Sequence, residues 1–251
     1  MIAVIAAALA VMVVIVWLTP VAFTALDAGA LWTNICYWTT ESAGKIGTAI
    51  IVLITGLVYT RRLQSNRDIA KSLARTTVLL FLIIGAFAFV NENVTKKITK
   101  TIRPSLEYVN KNAEGAFSIE KLYALPKEER TNYILRTLRE HHHSFYGIDE
   151  LVLMHWADES GYSFPSGHSF NSFLLACVLS FSMYYSRSNR VKPLFLLPLI
   201  WAVVVCVSRV ALGAHSALDV TFGGVLGTIV GVIFITWDDM RNRVLHRKLD
   251  V

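Results

Sequence analysis

The sequence predicts an all-α, polytopic membrane protein: six transmembrane helices with an outward-facing helical insertion between the third and fourth. Three observations predict it. Hydrophobic residues make up 54% of the 251 positions and the mean hydropathy is +0.50, more apolar than an ordinary soluble domain. The apolar residues gather into six runs long enough to cross a hydrocarbon core at about 1.5 Å per helical residue. The basic residues cluster in alternate loops.

In order, the runs cover residues 2–23, 46–59, 76–90, 169–185, 194–210 and 220–237. The first lacks a basic start and exceeds a signal-peptide core, so it reads as a retained span despite the small residues Ala28 and Ala30 downstream. The second and third are short, and Trp38, Arg61 and Arg75 complete them at the interfaces.

Arg61, Arg62, Arg67, Lys71 and Arg75 lie between runs two and three. Arg187, Arg190 and Lys192 lie between four and five, and Arg241, Arg243, Arg247 and Lys248 follow run six. All three clusters fall on one side, which the positive-inside rule makes cytoplasmic, together with both termini. The net charge of +6 is then a topology signal with some attraction to anionic lipid, and gives no case for nucleic acid. Cys36, Cys177 and Cys206 show no metal-ligand spacing and read as buried packing thiols.

The chain forms one domain, 1–251, with residues 105–163 as the helical insertion inside a longer excursion from about 91 to 164. Residues 127–142 follow Pro126 and set Tyr133, Ile134, Leu135 and Leu138 on one face, the pattern of a surface helix. A second short helix is expected over 148–156. His141, His142 and His143 read as a solvated stretch rather than a metal site, because three adjacent helical residues point apart.

Three polar constellations interrupt the apolar pattern, all at the outward ends of spans. Lys96, Arg103 and Pro104 follow run three; Pro165, Ser166, Gly167 and His168 open run four; Ser208, Arg209, His215 and Asp219 cross from run five to run six. Singly, each has an ordinary explanation: an interfacial anchor, a capped helix start, a structural histidine. Arg209 is harder to dismiss, since an ionisable group at the edge of an apolar run is costly unless paired or functional. Together the blocks supply what phosphoryl transfer needs. Lys96, Arg103 and Arg209 offer three cations, two of them forked guanidinium groups. The N–H groups of Ser166, Gly167 and His168 at a helix start add an anion site. His215 and Asp219, four apart, share a face if the segment is helical, so the carboxylate can hold the imidazole.

Lys96-x6-Arg103-Pro104, Pro165-Ser166-Gly167-His168 and Ser208-Arg209-x5-His215-x3-Asp219 resemble the type 2 phosphatidic acid phosphatase superfamily in identity, order and spacing. Around them, Leu122-Tyr123-Ala124-Leu125, His155-Trp156 and residues 161–168 look like its bacterial phosphatidylglycerophosphate phosphatase branch. The resemblance implies that His215 attacks phosphorus to form a phosphohistidine, with Asp219 hydrogen-bonded to it. It also implies that His168 is the acid and then the base, that Lys96, Arg103, Ser166, Gly167 and Arg209 hold the phosphate, and that no metal or other cofactor is required. Implied substrates are lipid phosphates of the bilayer, such as phosphatidylglycerophosphate, undecaprenyl pyrophosphate and phosphatidic acid, with no nucleic acid and no obligate protein partner. The implied location is a bacterial cytoplasmic membrane with the site on the periplasmic or outer face. A phosphotransferase using the same phosphohistidine stays open. A transporter is a remote reading, because the charges sit at one edge of the spans rather than mid-bilayer. His155 and Glu159 stand outside the expected catalytic set.

Overall fold

A computed structural model describes residues 1–60, 66–186 and 188–249. Arg61, Arg62 and Arg187 of the basic clusters lie outside these described residues. Among the described residues the regular structure is helical, and the one β pairing is an isolated bridge between Asp27 and Ile148. The helices are α1 (Ile2–Leu18), α2 (Leu31–Ser42), α3 (Lys45–Thr60), α4 (Asn66–Val90), α5 (Lys96–Thr99), α6 (Pro104–Asn112), α7 (Ile119–Ala124), α8 (Lys127–Glu140), α9 (Glu150–Asp158), α10 (Gly167–Tyr184), α11 (Leu197–Ala211) and α12 (Ala217–Leu249).

By length and composition, Ile69–Thr99, Lys192–Ala211 and Ala217–Trp237 are apolar enough to cross a membrane, and α2 with α3, bent by 61°, make a fourth such unit. α1 is apolar but shorter, at 17 residues. Two of these differ from the sequence reading. The third run does not stop at Val90: a π-helical turn, Asn91–Thr95, carries the rod on to Thr99 and so places Lys96 on the helix itself. The second run is preceded by α2, whose Thr33, Asn34, Thr39, Thr40 and Glu41 dilute its apolar signal.

α10 is the centre of the bundle. It packs on α12, α11 and α3, and from Phe173 to Ser180 every one of its residues is buried. An unbroken buried run of this kind marks a helix enclosed on all sides. Its closest partner is α12, where Gly223, Gly227 and Gly231 recur every fourth residue. A Cβ at Gly223 would stand 2.3 Å from the Ser166 carbonyl oxygen, one at Gly227 2.3 Å from that of Phe170, and one at Gly231 2.7 Å from Cys177 Cβ. Small residues at this spacing let two backbones touch. The outer faces of the bundle are apolar: Val78, Leu82, Phe89, Ile200, Phe222, Ile229 and Ile233 are all exposed. No water-facing helix tolerates such a row, whereas a lipid-facing one requires it.

A second apolar cluster belongs to the insertion. Leu106, Val109, Phe117, Leu122, Ile134, Leu138, Val152 and Trp156 from α6 to α9 bury their side chains with Ala211 and Leu212 at the end of α11. α8 presents Tyr133, Ile134 and Leu138 as expected, but ends at Glu140, and α9 starts two residues later than the sequence suggests. All three cysteines are buried and free.

Candidate active site

The spacing Ser208-Arg209-x5-His215 follows from how α11 ends. Ala214 N–H donates to the Arg209 carbonyl (3.1 Å), and Gly213 N–H to that of Val210 (2.9 Å), the two bonds of a Schellman cap. Gly213 takes φ 68°, and a Cβ there would lie 2.4 Å from Phe23 Cε1, so conformation and space both demand glycine. The turn also brings the His215 N–H to the Arg209 carbonyl (3.2 Å). One backbone device thus sets the arginine and the histidine side by side.

α12 begins at once with a capping box. Asp219 N–H donates to Ser216 Oγ (3.2 Å), and Ser216 N–H donates to Asp219 Oδ2 (2.8 Å). His215 lies in the turn before this helix rather than within it, yet its Nδ1 is 3.6 Å from Asp219 Oδ2. Both residues are buried.

Arg103 is the N-cap of α6. The following Pro104 fills the first helical position and holds Arg103 extended at φ −75°, ψ 140°. Arg103 is 2% exposed, and all three of its guanidinium nitrogens have partners. Nε donates to the Gly161 carbonyl (2.9 Å), Nη1 to the Ala214 carbonyl (2.7 Å) and to His215 Nε2 (3.2 Å), and Nη2 pairs with Glu159 Oε2 (2.6 Å). Arg209, with no exposed surface, donates Nη2 to Glu159 Oε1 (2.7 Å) and Nη1 to His155 Nε2 (2.9 Å). His155 Nδ1 in turn faces Glu41 Oε1 at 3.5 Å.

The blocks are stitched together by main chain. Ser105 N–H donates to the Gly213 carbonyl (2.8 Å), Ser163 to Thr101 (2.9 Å) and Ser166 to Asp219 (3.0 Å). Ser166 Oγ caps α10 by accepting from Ser169 N–H (3.4 Å) and Ser169 Oγ (2.9 Å). Here the structure differs from the sequence reading: the Ser166 N–H is committed to Asp219, so Ser166 shapes the turn, and the start of α10 is left to Gly167 and His168. His168 is half-buried and within electrostatic range of Arg209, Glu159 and His215. Lys96 is nearly buried, pairs with Glu92 one turn earlier, and feels the charges of Arg103 and Glu159. Asn91, in the π turn, donates to the Pro165 carbonyl (3.2 Å) and ties this helix to the second block. π turns recur at functional sites.

Arg103, Arg209, His215 and Asp219 therefore meet directly, with His168 and Lys96 around them. What sequence reasoning left out is Glu159, whose two oxygens bridge the two arginines, and His155 behind Arg209. The available signal was electrostatic: two buried guanidinium groups require a counter-charge, and Glu159 is the acid just ahead of the second block. Burial alone would raise the Glu159 carboxyl, but Arg103 and Arg209 outweigh it and hold the group well below the usual carboxylate range. Burial, and next Arg103, hold the His215 imidazole below its ordinary value, opposed by Asp219. The site thus combines an imidazole with two forked cations that grip the oxygen pair of Glu159, an arrangement whose chemistry suits an oxyanion beside a basic ring nitrogen.

The PAP2 superfamily profile matches residues 75–243, which contain all three blocks. Over 184 residues the chain is 26% identical to phosphatidylglycerophosphatase B of Haemophilus influenzae, across 65% of this chain and 75% of that protein. Over 166 residues it is 26% identical to phosphatidylglycerophosphatase B of Escherichia coli K12, spanning 65% of this chain and 61% of the relative's length. The Bacillus subtilis protein of the same name is 32% identical over 118 residues, covering 39% of this chain and 57% of that one.

Proposed function

Because the chain belongs to the PAP2 superfamily, we propose that it is a membrane lipid phosphatase that hydrolyses phosphate or pyrophosphate monoesters of lipids through a phosphohistidine at His215. The observation that carries the reading is the convergence of Arg103 and Arg209 on one pair of oxygens beside His215 Nε2. A phosphate displaces the Glu159 carboxylate from this clamp and offers its own oxygens to the two guanidinium forks, with Lys96 adding charge. The N–H groups of Gly167 and His168 at the start of α10 complete the anion site.

With Arg103 turned onto phosphate, the lone pair of His215 Nε2 is free to attack phosphorus in line. The P–O bond to the lipid breaks as the N–P bond forms, and His168 gives its proton to the leaving oxygen. Positive charge that builds on the imidazole is balanced by Asp219 at Nδ1. In the second half His168, now neutral, takes a proton from water as its oxygen attacks the phosphohistidine. His215 and inorganic phosphate are released. The clamp stabilises the charge on the equatorial oxygens in both halves.

The six-span topology belongs to the same reading: α1, bent α2–α3, α4 with α5, α10, α11 and α12. Their apolar outer faces support it. Lys71 and Arg75, and Arg190 and Lys192, flank the ends of spans remote from the site, and by the positive-inside rule they support a reading with the site on the outer face of the cytoplasmic membrane and both termini inside. A substrate's phosphate reaches the clamp while its chains stay in lipid. Phosphatidylglycerophosphate, undecaprenyl pyrophosphate and phosphatidic acid are the substrates of this reading, and the names of the relatives support the first.

The test is phosphate release from these three lipids by detergent-purified protein in excess EDTA, alongside His215→Ala. Chelator-resistant release that disappears in the variant is expected. Release that depends on an added acceptor, or that survives in His215→Ala, overturns the hydrolase or the nucleophile respectively.

A further inference from the structure

A second set of ligand-type side chains lies in the insertion and shares no residue with the phosphate site. The run of three histidines diverges only if the helix continues through it. It does not: α8 ends at Glu140, His141 is its C-cap at φ −113°, ψ 33°, and residues His142–Phe145 form a 3-10 turn. This change of winding swings the rings of His141 and His143 towards each other, with centroids 6.1 Å apart. From a different part of the chain, the turn after α6 holds Glu114 at φ 48° and delivers its Oε1 to 3.5 Å from His143 Nε2. One ligand atom each from Glu114, His141 and His143 lies within 4.8 Å of the others. His141 Nδ1 is shut off from solvent and has no hydrogen-bond partner. A buried imidazole nitrogen in that condition is the kind of group that a ligand satisfies.

We propose that Glu114, His141 and His143 form a binding site for a divalent cation of the zinc type. Two imidazoles and a carboxylate are a recurrent zinc donor set, with water in the fourth position. Tetrahedral zinc at bond lengths of about 2.0–2.1 Å asks its ligand atoms to stand roughly 3.4 Å apart, so the three must close by about an ångström. Two of the three can move freely, since Glu114 and His143 are 66% and 60% exposed at their side chains. The bound ion joins the turn after α6 to the end of α8, adding to the apolar cluster beneath them and to the hydrogen bonds of Tyr133 with Ser118 and Ala116. Its role is to clip the insertion, apart from the phosphoryl chemistry.

The experiment titrates Zn²⁺ into the full-length, detergent-purified protein, metal-stripped and prepared with a tag that contains no histidine, against a chromogenic chelator. One zinc per chain is expected. His143→Ala and Glu114→Gln should weaken binding at least tenfold, His142→Ala should leave it unchanged, and zinc should raise the melting temperature of the wild type but not of His143→Ala. Phosphate release in EDTA reports that each variant is folded, because the two sites share no residue. Equal loss in His142→Ala and His143→Ala reduces the site to a flexible histidine run. A folded wild type that binds zinc no more tightly than the His141→Ala/His143→Ala double variant overturns the proposal.

Discussion

Nη1 of Arg103 lies 3.2 Å from Nε2 of His215. A guanidinium carries only donors, so Nε2 accepts and the ring proton resides on Nδ1, the nitrogen facing Asp219. The contact therefore selects the tautomer that leaves a lone pair on Nε2, as the proposed attack requires. Replacing His215 by Ala should lower phosphate release by about 10⁴-fold or more, with unchanged extraction and elution from a sizing column. Turnover within tenfold of wild type would remove His215 as nucleophile.

The same environment has a pH signature. The folded pKa of His215 is depressed by burial and Arg103, so below the unfolded value of about 6.5 the unfolded chain binds more protons. Stability from this residue is thus full above about pH 6.5 and declines as pH falls below it. Melting curves at pH 7.5 and 5 should show a smaller loss for His215→Gln than for wild type. An equal loss in both would show that His215 titrates normally.

His168→Ala should slow hydrolysis by about 10²–10⁴-fold for an alkyl leaving group. The loss should shrink for an aryl phosphate, whose leaving oxygen needs little protonation. The comparison of the two substrates is decisive: a uniform loss would assign His168 to binding instead.

Glu159→Gln should have opposite effects on stability and on anion affinity. It leaves two buried guanidinium groups without their shared carboxylate, a change that costs about 3 kcal/mol at a buried pair, and the melting temperature should fall. It also removes the internal competitor for the clamp, so inorganic phosphate should inhibit about tenfold more tightly, close to 1.4 kcal/mol. Weaker inhibition would mean that Glu159 positions the arginines rather than standing in the phosphate's place.

Gly223→Ala and Gly227→Ala each set a Cβ 2.3 Å from a carbonyl oxygen of the α10 segment, and overpacking of this sort costs roughly 1–3 kcal/mol. Only Gly223 touches the Ser166 carbonyl. Both variants should melt earlier, but Gly223→Ala should also lose activity at a temperature where it is folded. Equal specific activities would uncouple the seam from the site.

The sequence disclosed those parts of the molecule whose physics is local. Apolar runs mark α4, α11 and α12, and the amphipathic face of α8 is visible in Tyr133, Ile134 and Leu138. The three blocks are legible because each is a terminus signal as well as a chemical one: Arg103-Pro104 and Pro165-Ser166 begin helices, while Gly213 ends one. What depends on distant partners was hidden. Glu159 reads as an unremarkable loop acid until α6 and α11 bring two arginines to it. α2 does not read as a span because Thr33, Asn34, Thr39, Thr40 and Glu41 interrupt it, and the partner of Thr40 lies far along the chain at Ser208 (2.8 Å). The histidine run looks divergent only while α8 is assumed to extend through it.

Trp156 Nε1 donates to the Leu212 carbonyl (2.8 Å), in the turn between Arg209 and His215, and its ring sits in the apolar cluster that Leu212 itself completes. The insertion and the turn that carries His215 are consequently packed as a single unit. Chimeras that exchange the segment between α5 and α10 among relatives will retain function only when the α11–α12 junction travels with it.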